Sequence, residues 1–346
     1  MSRTKTSTPL TLVKSDGGKA AVGVAGAAAA GTVAWAHLVE RRRRRQRAFE
    51  LHAGEAVPAG VRRIACGRID DAIDLLGSRG DTGAAVHGAR KDLKRLRATA
   101  RLVRGPLGER AYDRENRAFR DTARRLSGPR DSRVLVETLE GLIERYAGEV
   151  PDGCFDGLRD ALVAEERAAT ARLQDDGPAV AAVIEELRAA RRQVARWQLV
   201  DNGFETVEPG VRRTYRRGRE AYRAARRDPS TERLHEWRKR VKDLWHATQI
   251  LEPAAPKRLD ALARDAHRLS DLLGDDHDLA VLGAQAWRPL SDSAPDALEL
   301  LEGLIARRRD ELQKRALKRG RRLYAPSPAV FAKPLRRGWR KRMAGI

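Results

Sequence analysis

Two stretches of this chain, "VHGARKDLKRLRATARLV" (86–103) and "LHEWRKRVKDLWHATQIL" (234–251), align without a gap at an offset of 148 residues. Each begins with an apolar residue and a histidine, and basic residues follow the histidine at offsets three, four and seven. At about 100° per residue, those positions share one narrow face of a helix. The apolar positions lie on the other side: Ala89, Leu93, Leu96 and Ala100 in the first copy, Trp237, Val241, Leu244 and Thr248 in the second. The fold therefore has to bury one face of each helix and hold a cationic stripe on the opposite one.

Two further blocks repeat in the same order. Residues 58–73 resemble 208–223 and share Gly-Val-Arg-Arg at 60–63 and 210–213, an offset of 150. "LSGPRDSRVL" (126–135) matches "LGDDHDLAVL" (273–282) at an offset of 147. Fixed order and spacing over three blocks read as a duplicated helical unit whose halves meet near residues 197–207. Beyond residue 50 apolar positions recur at three and four, and strand-like alternation is absent. Gly, Pro and Asp clusters set the expected helix breaks, among them "GSRGDTG" (77–83), "SGPRD" (127–131), "RRDPST" (226–231) and "GDDHD" (274–278). The expected class is all-α, with antiparallel helices in bundles.

The two stripes are His87, Arg90, Lys91 and Lys94, and His235, Arg238, Lys239 and Lys242. One basic helix alone reads as a solvated charged face. Such faces ordinarily mix signs, whereas here Asp92, Glu236 and Asp243 flank the stripes without entering them. Like charges one turn apart destabilise a helix by a few tenths of a kcal/mol per pair. Their recurrence in both copies points to an anion that relieves them. A histidine at a helix start also serves as a cap or packing residue. Beside phosphate, however, an imidazole is pushed toward its charged form and donates from both nitrogens.

The overall charge agrees. Among 346 residues, 70 Lys and Arg stand against 48 Asp and Glu, a formal net charge of +22 with a pI near 10.9. That excess favours a polyanionic partner, whether nucleic acid, an anionic membrane or a phosphate polymer. Cys66 and Cys154 form no zinc, redox or disulfide pattern, so a reduced intracellular compartment is expected. No secretory signal is read near Met1. Residues 20–39 lack Lys, Arg, Asp and Glu and precede an arginine run at 41–45, a pattern that suits a membrane span. Their Ala and Gly content and His37 favour an N-terminal extension over residues 1–50, with membrane contact through 20–45 as the alternative.

In pattern, His-x-x-Arg-Lys-x-x-Lys followed by Leu-x-x-x-Arg-Asp-x-x-Val-Leu resembles the CHAD family, the conserved histidine α-helical domain. The resemblance covers roughly residues 50–340 and implies two similar antiparallel four-helix bundles with pseudo-two-fold symmetry, one half about 51–200 and the other about 201–340. It also implies binding of inorganic polyphosphate in a basic groove or pore at their junction, and association with storage granules in the cytoplasm. The family's binding helices fall on 87–97 and 235–245, which adds Arg95 and Arg97 to the stripes, and its Arg-Asp pair falls on Arg130 and Asp131. Arg62 and Arg212, from the shared Gly-Val-Arg-Arg, complete the candidate set. The second half departs at His277, Asp243 and Trp245, where the first has Arg130, Arg95 and Arg97, so the surface is expected to be asymmetric.

Other chemistry finds little footing. There is no P-loop, no His-Glu-x-x-His and none of the Glu-x-Glu-x-Lys that marks the triphosphatase domain joined to some family members. "DDHD" (275–278) reads as a helix N-terminus before it reads as a metal cluster. No catalytic residue, metal or cofactor is expected. Nucleic acid remains the alternative partner, although aromatic residues make up only 5% of the chain. Trp237 and Trp245 also lie toward the apolar side, away from where bases would stack.

Overall fold

The structure, a computed structural model, describes residues 48–78, 81–126, 130–175, 177–200, 203–290 and 294–342. Residues 1–47, which include the apolar and arginine runs of the expected 1–50 extension, lie outside them. Among the described residues there are twelve α-helices and no strand. None of these helices is long and apolar enough to cross a membrane.

Helices α1 (Val57–Leu76) and α2 (Thr82–Leu102) pack together, and α3 (Arg104–Leu107), α4 (Glu109–Arg125), α5 (Arg130–Arg145), α6 (Asp156–Asp175) and α7 (Gly177–Ala195) follow. A 3-10 turn at Gly203–Thr206 leads to α8 (Glu208–Arg227) and α9 (Thr231–Ile250). A second at Glu252–Ala254 leads to α10 (Pro256–Leu290), α11 (Pro295–Leu323) and α12 (Pro328–Arg342).

The stripe helices start by the same device. The Asp81 carboxylate accepts from the Ala84 amide at 3.1 Å, and the Ser230 hydroxyl accepts from the Arg233 amide at 3.4 Å. Each satisfies one backbone donor that the first turn leaves open. Preceding each of them, α1 and α8 both carry a proline in the first turn, where the missing N–H is harmless.

One expected break is absent. Helix α10 runs for 35 residues straight through "GDDHD", which is therefore neither a loop nor a helix N-terminus. The matching block at 126–135 contains Pro129, which cannot continue a helix, whereas residues 273–282 contain no proline. A lone glycine, Gly274, lowers helix stability by only about 1 kcal/mol. Buried Leu273 and Leu279 anchor the chain on either side of it.

Two apolar cores result, and both draw on both halves of the sequence. The larger gathers α1, α2, α4, α7, α8, α9, the first half of α10, the end of α11 and α12. The smaller is built from α5, α6, the second half of α10 and the first part of α11. Along α10 the change falls between Leu273 and Leu279, and along α11 between Leu312 and Ala316. A helix of that length reaches about 50 Å, enough to serve as a shaft through both cores.

Close backbone approach fixes α8 and α9. A Cβ on Gly210 would lie 2.0 Å from the Leu102 carbonyl oxygen, so the start of α8 rests directly on the end of α2. A Cβ on Gly320 would lie 2.5 Å from the indole of Trp237, which is fully buried. The apolar side of α9 is thereby clamped between α8 and α11, with the Tyr222 and Trp237 rings 5.3 Å apart.

Candidate anion-binding surface

The two stripe helices, α2 and α9, pack against each other. One tie between them is the Arg101–Asp243 ion pair at 2.9 Å, and Asp243 also holds Arg240 at 3.0 Å. This gives Asp243, which departs from the first-half pattern, a structural role. Trp245, the other departure on this helix, packs its ring 4.3 Å from His267 of α10.

In the α9 stripe, His235, Arg238 and Lys242 are half-buried and Lys239 is exposed. The cover comes from α10. His277 packs its ring 4.2 Å from that of His235, and Asp278 lies 3.7 Å from the Arg238 guanidinium. Arg238 lies over Gly274, where a Cβ would come within 2.9 Å of its Nη2. Lys239 is held at 2.5 Å by Glu236 on its own helix.

Burial and like charge together depress the pKa values along this stripe. Burial, followed by the charges of His277, Lys239 and Arg238, pushes His235 down to about 4. Burial and the Arg238 charge lower His277 as well. The histidine read as a dual donor is thus neutral near pH 7 before any ligand arrives. Lys242 is pushed down to about 8 by burial and then by Arg238 and Lys94, with Asp278 and Asp271 opposing. Lys94 belongs to the other stripe, so the two stripes converge at this level.

In the α2 stripe, His87 and Arg90 are half-buried while Lys91 and Lys94 are exposed. Other candidates are engaged in packing. Arg95 pairs with buried Asp92 at 3.2 Å and lies over the Phe49 ring at 5.5 Å. Asp92 also receives Arg68 at 3.1 Å, which makes this a buried charge cluster rather than part of the open stripe. Arg97 donates to Asn116 of α4 at 3.0 Å, and burial pushes it down to about 10. Arg62 donates to the Trp197 carbonyl at 3.1 Å. Exposed Arg212 lines a separate concavity at the start of α12, together with Arg213, Arg216 and Arg336. Arg130 opens α5, but its side chain lies outside the described residues, as does that of Asp131.

Sequence reading missed the acidic counterface. Asp271 and Asp278 are seven residues apart on α10 and face the α9 stripe, and Gly274 between them makes room for Arg238. The signal was present as helical spacing within "DLLGDDHD" but was read as punctuation. Asp276 faces the other way. It is 1% exposed and accepts from Arg309 Nε at 3.0 Å and Gln313 Nε2 at 2.8 Å. Arg309 also donates to Thr231 Oγ1 at 2.9 Å, which ties α11 to the first turn of α9. Among the described residues, no group of three or more His, Cys, Asp or Glu is placed to hold a metal ion.

Comparison with known proteins agrees with the all-α fold. No curated protein matches the chain. Among solved structures, the chain is similar to the crystal structure of the CHAD domain from the plant Ricinus communis, with a TM-score of 0.50 and 17% identity. The match covers 84% of this chain and 94% of the plant one, and at that identity it speaks for the fold alone. The family model for the CHAD domain matches residues 74–287, which contain both stripe helices and the whole acidic counterface. The chain belongs to the CHAD domain family.

Proposed function

We propose that this protein is a non-enzymatic binder of inorganic polyphosphate, which it holds on the cationic surface built by α2 and α9. The observation that carries this reading is the convergence of two like-charged stripes on helices that pack against each other. The core does not need that arrangement, because each helix already buries its opposite face. A phosphate chain neutralises successive cations while making no demand for base recognition. Arg90 and Arg238 supply forked donors, and Lys91, Lys94, Lys239 and Lys242 supply point charges. The long 3.7 Å contact of Arg238 with Asp278 is of a kind that a phosphate oxygen would replace. Attachment to polyphosphate or other storage granules in the cytoplasm is part of the same proposal.

Substituting Arg90, Lys91, Arg238 and Lys239 together by Ala tests it. Polyphosphate binding should be lost while circular dichroism retains the helical signal. Wild-type binding should also weaken steeply with salt, as expected when a polyanion's counterions are released. Retained affinity in the fourfold variant would place the binding surface elsewhere, and release of orthophosphate from the polymer would restore an enzymatic reading.

A further inference from the structure

A third basic stripe lies on α11. Arg315, Lys318, Arg319 and Arg322 stand at offsets zero, three, four and seven, the spacing of the two stripes already described. All four line one concavity between α10 and α11, with Asp265 as the acidic residue in its wall and Leu272 and Leu323 as apolar ones. Arg315, Lys318 and Arg322 are exposed, while Arg319 pairs with Asp265 at 2.8 Å.

This wall is distinct from the α9 surface. Asp265 and Leu272, seven residues apart, mark one side of α10. His267, Gly274 and Asp278 mark the side that meets α9. Only one of the four positions has a basic counterpart in the first half. An offset of 148 carries 315, 318, 319 and 322 to Arg167, Thr170, Ala171 and Gln174, so the stripe does not belong to the repeated pattern. The helix C-terminus accounts for part of it, since cations in a last turn favour the macrodipole. That covers Arg322 and its neighbour Arg321 but not Arg315 and Lys318, which precede them by one to two turns.

We infer that the α11 stripe is a second anchoring site for the same phosphate polymer. This rests on the polyphosphate reading of the α2–α9 surface and extends it to chain length. A polymer long enough to reach both sites is held at two points. The second contact is then intramolecular, so affinity rises with chain length beyond what one site gives. A nucleic acid is the less favoured ligand here because the wall contains no aromatic residue on which a base would stack.

The test is the affinity of the full chain for polyphosphate of a few phosphates and for polyphosphate of several hundred. It compares the wild type with Arg315→Gln/Lys318→Gln/Arg322→Gln, which leaves the Arg319–Asp265 pair in place. The variant should bind the short chain within about twofold of wild type and lose about tenfold or more for the long chain. Equal long-chain affinity in both proteins overturns the second site while the α2–α9 surface stands. Equal losses for short and long chains also overturn it, because the stripe would then be part of one site. A larger loss for single-stranded DNA than for long polyphosphate overturns the ligand. A wild type that binds no polyphosphate of any length removes both this inference and the reading beneath it.

Discussion

The His235 ring sits 4.2 Å, centroid to centroid, from the His277 ring and joins α9 to α10 through two imidazoles whose pKa values both lie below the ordinary histidine range. The charged groups around the pair are Glu236, Arg238, Lys239 and Lys242 from α9, Asp276 from α10, and Arg309 from α11. Buried His246, beside Arg95, Lys242 and Arg101, is pushed down to about 3. In each case the unfolded chain takes up a proton more readily than the folded one. Stability is therefore full above the unfolded value of about 6.5 and declines as pH falls toward the folded values. Thermal melting of the wild type should drop more between pH 7 and pH 5 than that of His235→Asn. Parallel profiles would remove the histidine pair as a source of acid sensitivity.

Lys242 gives the ligand its own pH signature. Its ammonium sits at about 8 because of burial and the charges of Arg238 and Lys94, and a bound phosphate would raise it. Binding near pH 8.5 should then take up protons, and affinity should fall as pH rises through that region. Calorimetry in buffers of different ionisation enthalpy reads the uptake directly. The uptake should disappear in Lys242→Arg, whose charge does not titrate there. An unchanged uptake in that variant would assign it to another group.

Gly274→Ala separates stability from binding. A methyl group in mid-helix favours α10 by up to about 1 kcal/mol. The same methyl would meet the Arg238 guanidinium at 2.9 Å and displace it without altering any charge. Melting temperature should hold or rise while polyphosphate affinity falls severalfold. Affinity equal to wild type would mean that the position of Arg238 over Gly274 is unimportant.

Gly210→Ala should act in the opposite direction. Its Cβ would meet backbone, the Leu102 carbonyl at 2.0 Å, and that cannot swing aside as a side chain does. Overpacking of this kind destabilises by about 1–3 kcal/mol. Chemical denaturation should show a lower midpoint with little change in slope, and an unchanged midpoint would mean that α8 slides along α2 without penalty.

The legible part of this fold was its periodicity. Stripes at three and four residues identified α2 and α9, and Asp81 and Ser230 sit where a helix start would be expected. What the linear chain concealed was pairing across helices. Nothing local distinguishes Arg95, which turns to Asp92 and Phe49, from the stripe cations that precede it. Arg97 and Arg62 likewise read as surface cations until Asn116 and the Trp197 carbonyl are brought beside them. The acids of "GDDHD" misled for another reason. Gly and Asp mark breaks in most contexts, and only the leucines packed on both sides carry α10 through. The third stripe, on α11, has the same spacing as the first two but no partner in the other half, so the repeat offered no help in finding it.

The most direct measurement is a competition at fixed salt in which the wild-type protein, holding labelled long-chain polyphosphate, is titrated with single-stranded DNA at equal total charge. The expected result is that DNA displaces polyphosphate only at charge concentrations more than about tenfold higher, because stripes that lack aromatic platforms gain nothing from bases. Displacement at equal charge would contradict the reading and reduce the α2–α9 surface to a general polyanion binder.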